Sequence, residues 1–266
     1  MFLVIIPANV LAEASSDEIF QRVRFDQHLD TQLPLGTKFR DENGNTIRLH
    51  DYFKQGRPAI LVLGYYQCPM LCTQVSNALT ASLKTITLDV GRDFDVVMLS
   101  IDPGETPELA RAKKSAYLAS YGRPATVAGW HFLTGEENAI QDICEAAGFH
   151  YMQDSLSKQY AHASGIIVVT PEGKISRYYF GIDFPTRDLR LSLVEASKNG
   201  IGTLADKLLL LCYHYNPATG KYGFAIINAI RAAGVATVFA LAAFIIRALR
   251  RERRVARLQI GKAGPL

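Results

Sequence analysis

Residues 58–72 read Pro58-Ala-Ile-Leu-Val-Leu-Gly-Tyr-Tyr-Gln-Cys-Pro-Met-Leu-Cys72. The opening run, Pro58 to Tyr66, is continuously apolar and of strand length, the pattern of a strand buried on both faces. Two cysteines follow it at once and open the next helix. On the C-terminal side, Thr73 to Val90 carries Val75, Leu79, Leu83, Ile86 and Leu88 at helical spacing. Asp95 to Ile101 is a second buried strand. Glu105 to Tyr121 reads as a helix with Thr106 as cap and Pro107 in its first turn. A short strand, Trp130 to Leu133, precedes a helix from Glu136 to Ala147 that Gly148 stops. Gly165 to Thr170, the turn Pro171-Glu-Gly-Lys174 and Ile175 to Phe180 form a hairpin, and Thr186 to Lys198 a closing helix. On the N-terminal side, Asn43-Gly44 marks a hairpin within residues 35–53. Strand–helix alternation that ends in a hairpin and a helix predicts an α/β sandwich around a central mixed sheet.

Composition narrows the function. The chain has 266 residues, 48% hydrophobic and 20% charged, with a net charge of +4, which excludes a mainly disordered protein. Four cysteines in this length are too few for a disulfide scaffold. The charge is concentrated at one end: Arg247, Arg250, Arg251, Arg253, Arg254, Arg257 and Lys262 against Glu252 give the last twenty residues +6. The remainder holds 22 basic and 24 acidic residues, so no broad cationic face is left for nucleic acid. Directly before the basic tail, Ala232 to Ile246 carries no charge, and extension back to Tyr222 reaches spanning length with Arg231 near one interface. The positive-inside rule then places the C-terminus in the cytoplasm. Phe2 to Ala12 is a short apolar run ending in small residues, as a secretory signal does, although it lacks a basic leader. The expected organisation is a signal-like or flexible segment at 1–25, a folded domain at 26–205, a membrane-proximal linker at 206–221, a transmembrane helix at 222–247 and a basic cytoplasmic tail at 248–266.

The chemistry lies in Cys68 and Cys72. Sulfurs four residues apart share a face of a helix, and a helix N-terminus favours the thiolate. Such a pair can cycle through a disulfide or hold a soft metal. Redox pairs usually have two intervening residues rather than three, which tips the balance towards metal, and two thiolates suit Cu(I). Spacing alone leaves a third ligand open among His28, His50, His131, His150, His162 and His214; His162 lies just before a predicted strand whose end can reach the cysteines. Asp102, at a strand end, reads as a loop-bonding residue, with a part in metal transfer or partner docking as its other reading. Cys144 reads as a core residue. Cys212 and His214 sit beside the predicted membrane entry, where interfacial side chains are the default and an auxiliary metal site is the other reading.

Gly64-Tyr-Tyr-Gln-Cys-Pro-Met-Leu-Cys72, Leu99-Ser-Ile-Asp-Pro-Gly-Glu-Thr-Pro-Glu108, Phe132-Leu-Thr-Gly135 and His162 before Ile166-Ile-Val-Val-Thr-Pro-Glu-Gly-Lys174 together resemble the Sco/SenC family, over roughly residues 30–200. The resemblance implies a thioredoxin-like fold and a role in assembling the copper centres of cytochrome c oxidase. It implies Cys68, Cys72 and His162 as ligands of copper, as Cu(I) and also Cu(II), with Cys68 and Cys72 able to close a disulfide and Asp102 beside the site or in docking. The implied partners are the copper-centre subunit of the oxidase, other copper chaperones or thiol reductants, and the membrane. The implied place is the bacterial inner membrane, crossed once, with the globular domain in the periplasm. A metallochaperone rather than an enzyme is expected; the alternative is a thiol–disulfide oxidoreductase that keeps oxidase cysteines reduced. Three departures stand out: Thr73 where relatives often have proline, Ala161 where many have an acidic residue, and an anchor at the C-terminal rather than the N-terminal end.

Overall fold

In a computed structural model, the described residues are 23–53, 56–69, 71–154 and 157–201, with 215–216, 221–222 and scattered positions between 231 and 247. The chain divides into two units, Met1–Gly202 and Thr203–Leu266.

In the first unit, β1 (Arg24–Phe25) is followed by the hairpin β2 (Lys38–Arg40) and β3 (Thr46–Arg48). Its turn is held by Asp41, whose carboxylate accepts from the backbone N–H of Asn43 at 2.9 Å and of Asn45 at 2.8 Å, while Gly44 supplies the positive φ of 83°. The apolar run becomes β4 (Ala59–Gly64), followed by α1 (Leu71–Thr85), β5 (Asp95–Ser100) and α2 (Pro107–Tyr121). Thr106 caps α2 through Leu109 N–H, as the sequence predicts, and Gly122 ends it at φ 74°. Then come β6 (Trp130–Leu133), α3 (Glu137–Ala146), β7 (Phe149–Gln153), β8 (Tyr160–His162), β9 (Gly165–Val169), β10 (Ile175–Phe180) and α4 (Thr186–Ala196).

The central sheet has the order β10-β9-β4-β5-β6. β4, β5 and β6 run parallel, whereas β9 is antiparallel to both β4 and β10, so the sheet is mixed, as predicted. Strand alternation sends successive side chains to opposite faces. Leu61, Leu63, Val97, Leu99 and Ile167 join Ile140 and Ile143 of α3 on one side. Ile60, Val62, Val96, Phe132 and Val168 meet Val75 and Leu79 of α1, Tyr117 of α2 and Leu189 and Leu193 of α4 on the other. Both faces being covered explains why these strands read as unbroken apolar runs. A second sheet, β1-β7-β8, is a three-stranded ribbon that the sequence does not announce. Arg24 pairs with His150 and Tyr151 with His162 in it.

In the second unit, β11 (Tyr215–Asn216) pairs antiparallel with β12 (Lys221–Tyr222). Arg231, Gly234, Val235, Thr237 to Phe239, Leu241, Ile245 and Arg247 are helical and exposed. Among the described residues, no helix is long and apolar enough to cross a membrane. The rest of the predicted span, residues 1–22 of the signal-like or flexible segment at 1–25, Cys212 and His214 lie outside the described residues.

Candidate metal centre

The parallel strands β4 and β5 end side by side, with Gly64 opposite Ser100, and the chain leaving β4 turns over that edge. Cys68 sits in this turn, where its N–H donates to Tyr65 C=O at 3.4 Å. The helix begins only at Leu71, so Cys72 alone lies in its first turn, and Cys68 precedes it rather than sharing a helical face. The turn achieves what the helix was expected to do: the Cys72 N–H donates to Cys68 Sγ at 3.4 Å. Thr73, in the position where relatives often carry proline, donates its hydroxyl to Cys68 C=O at 3.2 Å and so ties the turn to the helix. Gly64 lets the helix sit close, since a Cβ there would lie 3.1 Å from Cys72 Sγ.

His162 is the last residue of β8, and its Nε2 lies 2.8 Å from Cys72 Sγ. Its Nδ1 is 2.8 Å from Ala163 C=O; a carbonyl only accepts, so Nδ1 carries the proton and Nε2 presents its lone pair to the cysteine. The sulfurs of Cys68 and Cys72 and one nitrogen of His162 all lie within 4.8 Å of one another. Bonds of about 2.0–2.3 Å to nitrogen and sulfur place two ligands of one ion at most about 4.6 Å apart, so small side-chain rotations close the set around an ion. Two sulfurs and an imidazole form a soft donor set, suited to Cu(I) and short of the four ligands of a structural zinc site.

The surroundings are apolar and aromatic. Phe149 and Tyr65 pack on the His162 ring, with centroids 5.6 and 6.1 Å away. Burial holds His162 below its ordinary pKa, against the opposing pull of Ala163 C=O. The Cys72 thiol is pushed far up, first by burial and then by Cys68, with the backbone N–H of Tyr65 working against the shift. Burial thus works against the thiolate that a helix terminus is expected to favour, and an ion must displace protons to bind. No disulfide joins Cys68, Cys72 or Cys144 among the described residues.

Asp102 bonds its own loop, accepting from Gly104 N–H at 2.8 Å, and lies 3.5 Å from the Tyr160 hydroxyl, two residues before His162. Cys144 is in the core at 3% exposure. Of the other histidines, His150 lies 3.0 Å from Asp26, His131 stacks on Tyr52, and His28 lies 3.2 Å from Ala146 C=O. Sequence reasoning missed Glu105. Its buried carboxylate accepts from Tyr66 N–H at 2.8 Å, Gln67 N–H at 2.7 Å and the Ser100 hydroxyl at 2.6 Å, which clamps the turn immediately before Cys68. The signals were its place in the Leu99–Glu108 block and its position one residue before the Thr106 cap.

The family model described as SCO1/SenC matches residues 30–190, and the chain belongs to that family. No match to the chain is found among curated proteins. Among solved structures, a proposed electron transfer protein from Aquifex aeolicus VF5 is 22% identical, covers 65% of this chain and 95% of its own, and superposes with a TM-score of 0.55. A SCO1/SenC family lipoprotein from Bacillus anthracis is 18% identical over 65% of this chain and 99% of its own, with a TM-score of 0.52. ScoI from Arabidopsis thaliana, solved with copper bound, is 19% identical over 62% of this chain and 99% of its own, with a TM-score of 0.51. At these identities the likeness establishes the fold.

Proposed function

We propose that this protein is a copper metallochaperone in which Cys68, Cys72 and His162 bind copper and pass it to the copper-centre subunit of cytochrome c oxidase. The observation that carries the reading is the convergence of two sulfurs and an imidazole within 4.8 Å, with the imidazole tautomer already set by Ala163. The copper-bound state described for the Arabidopsis family member supports it. Cys68 and Cys72 bind as thiolates, so each loses a proton on loading, and His162 binds through Nε2 while Nδ1 keeps its proton. Three protein donors leave room for a sulfur of the acceptor, which lets the metal move by ligand exchange without being released. Closing a Cys68–Cys72 disulfide removes both sulfurs and ties loading to the redox state of the compartment. We place the domain outside the bacterial inner membrane, in the periplasm, with the C-terminal segment as anchor. The charge-free run at 232–246 followed by the basic tail supports that placement.

Anaerobic Cu(I) titration of the reduced full-length protein against a competing chelator tests the proposal. One tight equivalent is expected, lost in Cys68→Ser and Cys72→Ser and weakened in His162→Ala. Absence of tight binding with both thiols titratable overturns it and leaves a dithiol reductase, which has no need of His162, as the better account.

A further inference from the structure

Cys68 and Cys72 differ in what can reach them. Cys68 is 8% exposed, whereas Cys72 is half-buried and, unlike Cys68, lines a cleft of about 20 Å³ between α1, α2 and the sheet edge. Room of that size holds about one water and leaves no space for a whole cofactor. Around Cys72 the cleft is lined by Thr73 and Ser76 of α1, Lys113 and Tyr117 of α2, and His162. Lys113 and Tyr117 are one helical turn apart and share a face. The next residue, Lys114, is ion-paired with Glu42. Lys113 is half-buried and has no ion pair among the described residues. A cation with no counter-ion among the described residues thus lines the same cleft as the Cys72 sulfur.

We infer that this cleft is the route by which a thiol carrying negative charge beside its sulfur reaches Cys72, with Lys113 receiving that charge. The inference rests on the reading of Cys68 and Cys72 as a metal-binding pair that can close a disulfide. In reduction, the incoming thiolate attacks Cys72 Sγ of the disulfide. The Cys68–Cys72 bond breaks, its electron pair leaves on Cys68 Sγ, and a proton follows. A second thiolate of the same reductant attacks the reductant sulfur in the mixed disulfide, releasing Cys72 as thiolate and oxidising the reductant to its own disulfide. An uncharged or cationic thiol gains nothing from Lys113, so the cleft selects by charge.

The test uses full-length apo Cys68→Ser protein, in which Cys72 cannot be resolved by its neighbour. Methanethiosulfonates of one length, bearing an anionic, a neutral or a cationic head, are reacted with it. In each, Cys72 thiolate attacks the sulfenyl sulfur and methanesulfinate leaves, and the adduct on Cys72 is followed by peptide mass. Lys113→Met is expected to lower the ratio of anionic to cationic rates by about tenfold at low salt, and Lys113→Glu to lower it further, with the neutral rate within about twofold of its starting value. An unchanged ratio, or three rates that shift together, overturns the inference. Oxidation of the unsubstituted protein by dithiodipropionate and by an oxidised Glu-Cys-Glu peptide then separates the sources. Lys113 dependence for the diacid identifies a small acidic thiol, and dependence for the peptide alone identifies a protein cysteine flanked by acids. Cu(I) binding measured on the same protein keeps the two failures apart, since its absence overturns the copper reading while the rate ratio stands.

Discussion

Replacing Glu105 tests whether the turn before Cys68 is held from below. One carboxylate oxygen accepts from Gln67 N–H, and the other from Tyr66 N–H and the Ser100 hydroxyl, all within 2.6–2.8 Å. In Glu105→Gln the amide oxygen can keep the buried pair, Tyr66 and Ser100, but the new NH2 then faces the Gln67 N–H, donor against donor. One charge-assisted bond at a half-buried site is lost, a cost of about 1–2 kcal/mol. Glu105→Ala removes all three acceptor contacts and strands the buried Tyr66 N–H, for about 2–4 kcal/mol after the carboxylate's own desolvation is relieved. Urea denaturation of the full chain reads both values, and amide exchange at Tyr66 and Gln67 reads the local opening. The pH dependence adds a signature. Burial raises the Glu105 pKa above its ordinary value, against the bonds from Ser100, Tyr66 and Gln67. As pH rises from the ordinary carboxylate value, the folded protein therefore holds a proton the unfolded chain has lost, and stability falls across that window; Glu105→Gln abolishes this slope. Equal stability of wild type and both variants, with unchanged exchange at Tyr66 and Gln67, would refute the clamp.

The remaining predictions concern the sulfurs. Gly64→Ala puts a methyl 3.1 Å from Cys72 Sγ; Cu(I) affinity is expected to drop several-fold in competition titration while the stability loss stays near about 1 kcal/mol. Because the Cys72 thiol is held far above its ordinary value, copper binding strengthens as pH rises, by about tenfold per unit for each thiol proton displaced, and a flat affinity between mildly acidic and mildly alkaline buffer contradicts this. Cys144, pushed up to about 12 by burial, is expected to resist alkylation in the native protein and to react on unfolding, as peptide mass will record.

Local sequence announces what local physics decides. β4 and β5 are legible as apolar runs because helices cover both of their faces, and the start of α2 because Thr106 caps it and Pro107 opens it. The pairing of Cys68 with Cys72 is legible because the two are close in sequence. The position of His162 is not, because it depends on pairings between distant segments: Tyr151 with His162, and Leu61 with Ile167. β7 and β8 pass unnoticed because Phe149-His-Tyr-Met-Gln153 mixes polar and aromatic residues without clean alternation, and β1 because two residues give no period. Glu105 stays hidden for a related reason: its partners Tyr66 and Gln67 lie 39 and 38 residues away, and nothing in its neighbourhood distinguishes a clamp from an ordinary acid near a helix start. The helix boundary at Leu71 rather than before Cys68 follows from the turn, which uses the Tyr65 carbonyl and the Cys68 sulfur in place of helical bonds.

The three donors do not share one scaffold. Both sulfurs ride on the corner between β4 and α1, anchored in the five-stranded sheet, while the imidazole ends the separate ribbon β1-β7-β8. A change in the ribbon away from the cysteine corner, at Arg24 for example, can therefore swing the nitrogen without touching the dithiol. Capture strength and coordination number become independently adjustable, and substitutions far from the cysteines can retune how readily an ion leaves while the grip of the sulfurs stays as it was.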